Sequence, residues 1–134
     1  VAVNRAFEIL NGKYGEYDAL IIGGETTPVL PEKCGIGGRN QHYVASSMSI
    51  LENLPGKWLV AAMGTDGSDY MPGIAGAIAD NDTVQTIHER SLDVESYICH
   101  YDSNTLFSSI GNSLILTGDT GTNVGDIMLY LLTK

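Results

Sequence analysis

The sequence predicts a layered α/β domain with a mixed, mostly parallel sheet and helices packed on it, and three observations carry that prediction. Short apolar runs at residues 18–22, 58–63 and 114–116 each end in a polar loop rich in glycine, threonine and aspartate, as buried strands do when they empty into turns. Stretches with apolar residues at helical spacing, at 2–12, 40–54 and 81–90, alternate with them. A hydrophobic fraction of 43% against 17% charged residues is a globular balance, far from the composition of disorder. At 134 residues the chain can bury one core but not two, so residues 1–134 are read as one domain.

Taken in order, residues 2–12 put Ala2, Ala6, Ile9 and Leu10 on one helical face, with stop signals at Gly12 and Gly15. The chain opens on Val1 inside this pattern, so residues 1–15 read as the end of a helix continuing from a preceding domain. Residues 18–22 form a first strand ending at Gly23-Gly24, and 26–30 a shorter one that Pro28 and Pro31 push to an edge. Tyr43, Val44, Ser47, Met48 and Leu51 give a helix over 40–54, stopped by Pro55-Gly56. The run 58–63 is a strand that stops at Gly64-Thr65-Asp66-Gly67, and residues 74–79 fit a helix or a strand equally well. Residues 81–90 read as a helix capped by Asn81 or Asp82. Two short helices follow over 94–101 and 105–110, with Asp102 or Ser103 as the cap between them, then a third strand at 114–116 and a final apolar strand over 124–132. Three strands thus deliver their C-terminal ends to polar loops, and ligand sites of open α/β sheets form there.

Several functions are disfavoured. A net charge of −9, with seven scattered Lys and Arg, argues against nucleic acid and anionic membranes as partners. No apolar run reaches the roughly 18 residues needed to span a bilayer, and the opening residues, with Arg5 and Glu8, do not resemble a signal peptide. Cys34 and Cys99 lack CxxC or histidine spacing, which indicates neither zinc nor a disulfide framework and suggests a reducing, cytoplasmic setting. His42, His88 and His100 fall in helical segments, and without a GxSxG elbow a hydrolase triad has little support.

Most of the 16 glycines sit in polar clusters, which implies loops whose backbone approaches a ligand. Gly23-Gly24-Glu25-Thr26-Thr27 joins glycines to hydroxyls and one carboxylate; a turn in which the threonines satisfy loop backbone is the alternative. Gly35-Ile36-Gly37-Gly38-Arg39-Asn40-Gln41 brings a guanidinium and two amides to a helix N-terminus, where free N–H groups favour a carboxylate or phosphate. The competing arrangement is a salt bridge from Arg39 to Glu25 or Asp66 that only braces the loops. Gly64-Thr65-Asp66-Gly67-Ser68-Asp69 offers two carboxylates three residues apart, suited to accepting a proton or helping to hold Mg²⁺, or else to an Asx-turn. Thr117-Gly118-Asp119-Thr120-Gly121-Thr122-Asn123 fits either a phosphate or a solvated turn.

The ordered set GGETT, GGRNQ, GTDG, AGA, DS and TGTN, spread over roughly residues 20–132, resembles the MOFRL domain. That is the C-terminal domain of two-domain glycerate kinases, a group also called hydroxypyruvate reductases. The resemblance implies ATP- and Mg²⁺-dependent phosphorylation of D-glycerate to 2-phosphoglycerate, in a cleft shared with a Rossmann-like N-terminal domain. It makes Arg39 the anchor of the glycerate carboxylate or a phosphate, and Asp66 the base or the group that orients the hydroxyl. Gly24, Glu25, Thr26, Gly37, Gly38, Asn40, Gln41, Thr65, Gly67, Thr120, Thr122 and Asn123 are then the substrate- and phosphate-binding residues around that pair. The family's cleft lysine has no counterpart here, so this chain alone is expected to be inactive and to bind neither ATP nor a metal. Two segments depart from the family pattern. The second Thr-Asp pair of GTDGxDGPTDAAGA is missing across residues 70–73, and Asp119 brings a carboxylate into the TGPTGTN loop. A standalone, non-catalytic module that binds a small anion or a partner is the alternative reading; NAD(P)H-dependent hydroxypyruvate reduction finds no dinucleotide fingerprint.

Overall fold

Five short apolar segments pair edge to edge and set the architecture. In the computed structural model, which describes residues 2–25, 30 and 32–133, the strands are β1 (Ala19–Gly24), β2 (Trp58–Gly64), β3 (Gly76–Asp80), β4 (Leu114–Ile115) and β5 (Asp126–Leu132). The helices are α1 (Ala2–Leu10), α2 (Arg39–Leu51), α3 (Asn81–Glu89), α4 (Val94–Cys99) and α5 (Ser103–Ile110). The strands lie in the order β1, β5, β2, β3, β4. The segment 74–79, open between two states, resolves as β3, whereas the short strand expected over 26–30 falls largely outside the described residues.

The α/β layering is as expected, but the sheet is not mostly parallel: each of its pairings is antiparallel. The reason is visible in the two faces. Val60, Ala62, Ala77, Ala79, Met128 and Tyr130 pack into the helical layer, as half-buried antiparallel strands require. The opposite face, however, also carries apolar side chains: Ile21 pairs with Leu129, Leu129 with Ala61, and Ala61 with Ile78. Ile21 on that face is 75% exposed. With both faces apolar the strands lose their alternation and read as continuous hydrophobic runs, the usual mark of parallel strands.

The strand ends nevertheless converge. β1 and β2 both run antiparallel to β5, which lies between them, and β4 is separated from β2 by antiparallel β3, so β1, β2 and β4 share one direction. Asp126 at the start of β5 pairs with Gly24 on one side and Gly64 on the other, and Gly76 pairs with Ile115 further along. The polar loops therefore meet along a single edge.

Helix α2 is the centre of the helical layer. Its buried residues include Tyr43, Val44, Ala45, Met48 and Leu51, because α1 packs on it, the sheet lies against it, and Leu106 and Phe107 of α5 share its core. Ser47, Tyr43 and Tyr130 form a buried hydroxyl chain, with Ser47 Oγ 3.0 Å and Tyr43 Oη 2.8 Å from Tyr130 Oη. Burial raises the pKa of both phenols, so they stay neutral donors and acceptors. The cap of α3 is Asp80, not Asn81 or Asp82: its carboxylate accepts from Thr83 N at 3.1 Å while Thr83 Oγ1 accepts from Asp80 N. Asn81 instead accepts from Trp58 N and donates to the Gly56 carbonyl, stitching the helix to the start of β2. Asp102, one of the two residues expected there, stands at the N-cap of α5, but its carboxylate accepts from Ile36 N and Thr105 Oγ1 and not from a first-turn amide. Among the described residues no helix is long and apolar enough to cross a membrane.

Replacing Tyr130 by Phe deletes the centre of the hydroxyl chain and leaves two buried hydroxyls short of a partner. Chemical denaturation should register a loss of ~1–3 kcal/mol with an unchanged m-value.

Candidate functional site

The site begins at the N-terminus of α2. Gly38 is its extended N-cap (φ −128°, ψ 168°) and has no side chain with which to satisfy the first amides. Asp69, delivered by the loop after β2, takes that role from outside the helix. Its Oδ1 accepts from Asn40 N at 2.8 Å and Asn40 Nδ2 at 3.1 Å, and its Oδ2 from Gln41 N at 2.9 Å and Gln41 Nε2 at 3.0 Å. The carboxylate is fully buried, so the anion that this helix terminus holds is the protein's own. A Cβ at Gly38 would run into the Asp69 carbonyl and carboxylate, which explains that glycine without a ligand. Asn40 and Gln41, expected among ligand-binding residues, have these donors spent on Asp69, and Gln41 Oε1 accepts from Asn104 as well.

Arg39, the first residue of α2, points at the converging strand ends. Its Nε lies 2.6 Å from Asp126 Oδ2 and one Nη 2.9 Å from Asp126 Oδ1, a bidentate pair with a buried carboxylate. Glu25 Oε1 stands 3.9 Å from the same Nε. The bracing arrangement is thus realised with Asp126 as the partner, not Asp66, and Glu25 contributes weakly. The hydrogen bonds to Asp126 raise the Arg39 pKa further, so the guanidinium is charged at every working pH. It is 23% exposed, and its second Nη is spent on no described residue. One face of the guanidinium thus braces the loops.

The remaining loops are sewn to one another. Thr65 Oγ1 donates to the Gly125 carbonyl at 2.7 Å and accepts from Val124 N at 2.9 Å, and the Thr120 hydroxyl donates to the Thr65 carbonyl. Gly67 adopts φ +85°, and a Cβ there would strike the Gly118 carbonyl, so this glycine lets the 64–69 and 117–125 loops touch. Asp66 forms the Asx-turn that was the structural alternative, with Oδ1 accepting from Ser68 N at 3.0 Å, while its Oδ2 has no partner among the described residues. Asp119 likewise closes its own turn by accepting from Gly121 N at 2.9 Å, and Asn123 Oδ1 accepts from Gly125 N. The Thr122 side chain has no described hydrogen bond and is exposed; Gly24 lies at the edge beside Asp126. Thr26 lies outside the described residues, and Gly37 packs against Ser103.

Two features escaped the sequence reading. The buried carboxylates Asp69 and Asp126 have their amide and charged partners 29 and 87 positions away along the chain, separations that no spacing rule links. A cavity of about 270 Å³ also opens beside α2, lined by Arg39, His42, Tyr70, Tyr101 and Ser103. Among the described residues there is no group of three His, Cys, Asp or Glu side chains able to hold a metal. The unspent oxygen of Asp66 still fits Mg²⁺, which typically takes one or two carboxylates and completes its shell with water and substrate phosphates.

Comparison with known proteins covers the same stretch. The profile of the MOFRL family matches residues 18–126. The glycerate 2-kinase of Pyrococcus horikoshii is 36% identical over 115 residues, 86% of this chain and 26% of that protein. The D-glycerate 2-kinase of Thermotoga maritima is 41% identical over 114 residues, 85% of this chain and 27% of that protein. The crystal structure of Thermotoga maritima glycerate kinase superposes with a TM-score of 0.85 at 34% identity, covering 98% of this chain and 32% of that one. The chain therefore spans about a quarter of the length of these curated relatives, 26% and 27%.

Replacing Asp69 by Ala strands four donors at the buried start of α2 and should cost ~3 kcal/mol or more in denaturant titrations. A second expectation concerns pH. Burial holds His42 below its ordinary 6.5, so the unfolded chain takes up this proton before the folded one does. The folded state is unpenalised above pH 6.5 and loses stability as the pH falls below it. In thermal melts the wild type should lose Tm more steeply on acidification through that window than His42→Gln does.

Proposed function

This chain belongs to the MOFRL family, and we propose that it is the part of a glycerate kinase that supplies the acceptor- and phosphate-binding edge, working with a further Rossmann-like domain. The observation that carries the proposal is the Arg39–Asp126 pair. A guanidinium is locked in register at the meeting point of three loops, and among the described residues one Nη has no partner, which suits it to an anion. Identities of 36% and 41% to a glycerate 2-kinase and a D-glycerate 2-kinase supply the substrate class.

In this reading Arg39 holds the carboxylate of D-glycerate or a transferring phosphate, and Asp66, two residues past the Gly64 that pairs with Asp126, faces the substrate hydroxyl. Its second oxygen, without a partner among the described residues, accepts the proton as the 2-hydroxyl oxygen bonds to the γ-phosphorus of ATP and the bond from that phosphorus to the bridging oxygen of ADP breaks, giving 2-phosphoglycerate and ADP. Mg²⁺, when bound, would neutralise charge on the phosphate oxygens of ATP, held by those oxygens and by water, since the unspent oxygen of Asp66 is given to the proton. Gly24, Glu25, Gly37 and Thr122 border the ligand, while Gly38, Asn40, Gln41, Thr65, Gly67, Thr120 and Asn123 act chiefly by holding the loops in place. No step needs covalent help from the protein, since positioning and charge supply most of the rate in phosphoryl transfer.

Ile36, Tyr70, Leu116 and Val124 are exposed apolar side chains around these loops, which supports a second domain closing over this edge and an isolated chain without turnover. Two exposed free cysteines suit a small-metabolite kinase of the cytoplasm.

The test is glycerate phosphorylation by the full-length protein with ATP and Mg²⁺. Asp66→Ala should lower kcat/KM by about a hundredfold or more, and Arg39→Lys, which keeps the charge but loses the fork, by a comparable factor. Arg39→Ala is less informative because it leaves Asp126 buried without a counter-charge. Variants as active as wild type, or an inactive full-length protein, would shift the assignment to a non-catalytic anion-binding module.

A further inference from the structure

The cavity beside Arg39 has walls for which a three-carbon hydroxy acid has no use. His42 and Tyr101 contribute a stacked ring pair, with centroids 4.5 Å apart and planes 14° from parallel, and Tyr70 and Leu30 add aromatic and aliphatic surface. Tyr70 and Tyr101 both sit in the left-handed region, at φ 60° and 52°. Such backbone is uncommon for residues with a bulky side chain and is costly to hold, and it tends to gather where a ligand is met. Two of the lining residues also carry a buried polar atom without a partner. Ser103 is buried to 1% exposure, and among the described residues its hydroxyl has no hydrogen-bond partner; the same is true of His42 Nδ1. A buried hydroxyl left unpaired is expensive, and two such atoms just behind one cavity wall leave hydrogen-bonding capacity that a ligand with polar edges can use.

We propose that this cavity receives the adenine base of the nucleotide, with the phosphate chain leading from it toward the free face of Arg39. The inference rests on the kinase reading above and assigns within it the half of the site that binds the phosphoryl donor. A purine is flat and stacks on aromatic rings, and its rim alternates donors and acceptors that a hydroxyl and a neutral imidazole can both satisfy. Burial lowers the His42 pKa and so keeps that imidazole neutral. D-glycerate has no flat apolar face, and in this cavity it would leave the tyrosines and Leu30 without a partner. At about 270 Å³ the space suits one heterocycle, with the rest of the nucleotide lying outside along the polar edge. Arg39 lines the cavity and also pairs with Asp126 at the strand ends, so base and phosphates lie on either side of one side chain.

The experiment separates base from phosphate. With the full-length protein, dissociation constants of a non-hydrolysable ATP analogue and of inorganic triphosphate are measured by calorimetry for wild type and Tyr70→Ala, alongside the KM for D-glycerate. Tyr70 is 80% exposed, so the substitution leaves the core intact, and a thermal melt verifies this. Tyr70→Ala should weaken the ATP analogue about tenfold, while triphosphate binding and the KM for D-glycerate stay within about twofold of wild type. The proposal is overturned if wild type binds the analogue no more tightly than triphosphate, if both ligands weaken together, or if the variant raises the KM for D-glycerate and leaves analogue binding alone. In each of those cases wild-type turnover of glycerate keeps the kinase reading standing. Absence of turnover removes the kinase reading by itself, and the titrations still decide whether the cavity takes a base.

Discussion

Asp69 at the N-terminus of α2 is the contact on which the rest of the site depends. A buried carboxylate with four donors on it is stable only where those donors are fixed, and the first turn of a largely buried helix fixes two of them as backbone amides. The bond runs in both directions. It caps a helix whose own N-cap is a glycine, and it ties the loop after β2 to the helical layer, which sets where Asp66 stands three residues earlier. Gly38 is the steric condition for it, since a side chain there would occupy the space of the carboxylate.

From that anchor the Arg39–Asp126 pair follows. With Asn40 and Gln41 turned toward Asp69, Arg39 is the residue of the first turn that faces the strand ends, where Asp126 starts β5 between Gly24 and Gly64. The ion pair joins helix to sheet at the edge on which the loops gather. A bidentate pair with a buried carboxylate holds the guanidinium plane rigidly, and a rigid plane is what recognition of a second anion requires. Polar side chains around it divide into two sets. Thr65 and Thr120 fasten loop to loop, and Asp119 and Asn123 close turns within their own loop, whereas one oxygen of Asp66 and one Nη of Arg39 remain unspent among the described residues. The high glycine content belongs in good part to the first set: Gly38 and Gly67 admit the protein's own carbonyls and carboxylate.

Element positions were legible in the chain because they depend on local patterning. Apolar spacing located α2 and β2 to within a few residues, and the polar loops after the strands were recognisable from glycine, threonine and aspartate alone. Strand direction was not legible, because Ile21, Leu129, Ala61 and Ile78 make the second sheet face apolar and erase the alternation that marks antiparallel strands. The expected convergence of strand ends held for a different reason, the interleaving of β5 and β3 between strands of common direction.

The sequence by itself determined the composition of the candidate site: its order of loops, the guanidinium at a helix start, the carboxylate at Asp66, and through them the resemblance to a family whose profile matches residues 18–126. Only the tertiary structure decided which of those groups are free. Whether an amide, hydroxyl or carboxylate meets a ligand depends on whether another part of the chain reaches it first, and the partners of Asn40, Gln41 and Arg39 come from loops and strands far along the sequence. The same holds for the cavity walled by Tyr70 and by the stacked His42 and Tyr101, because no local pattern signals that these segments will meet.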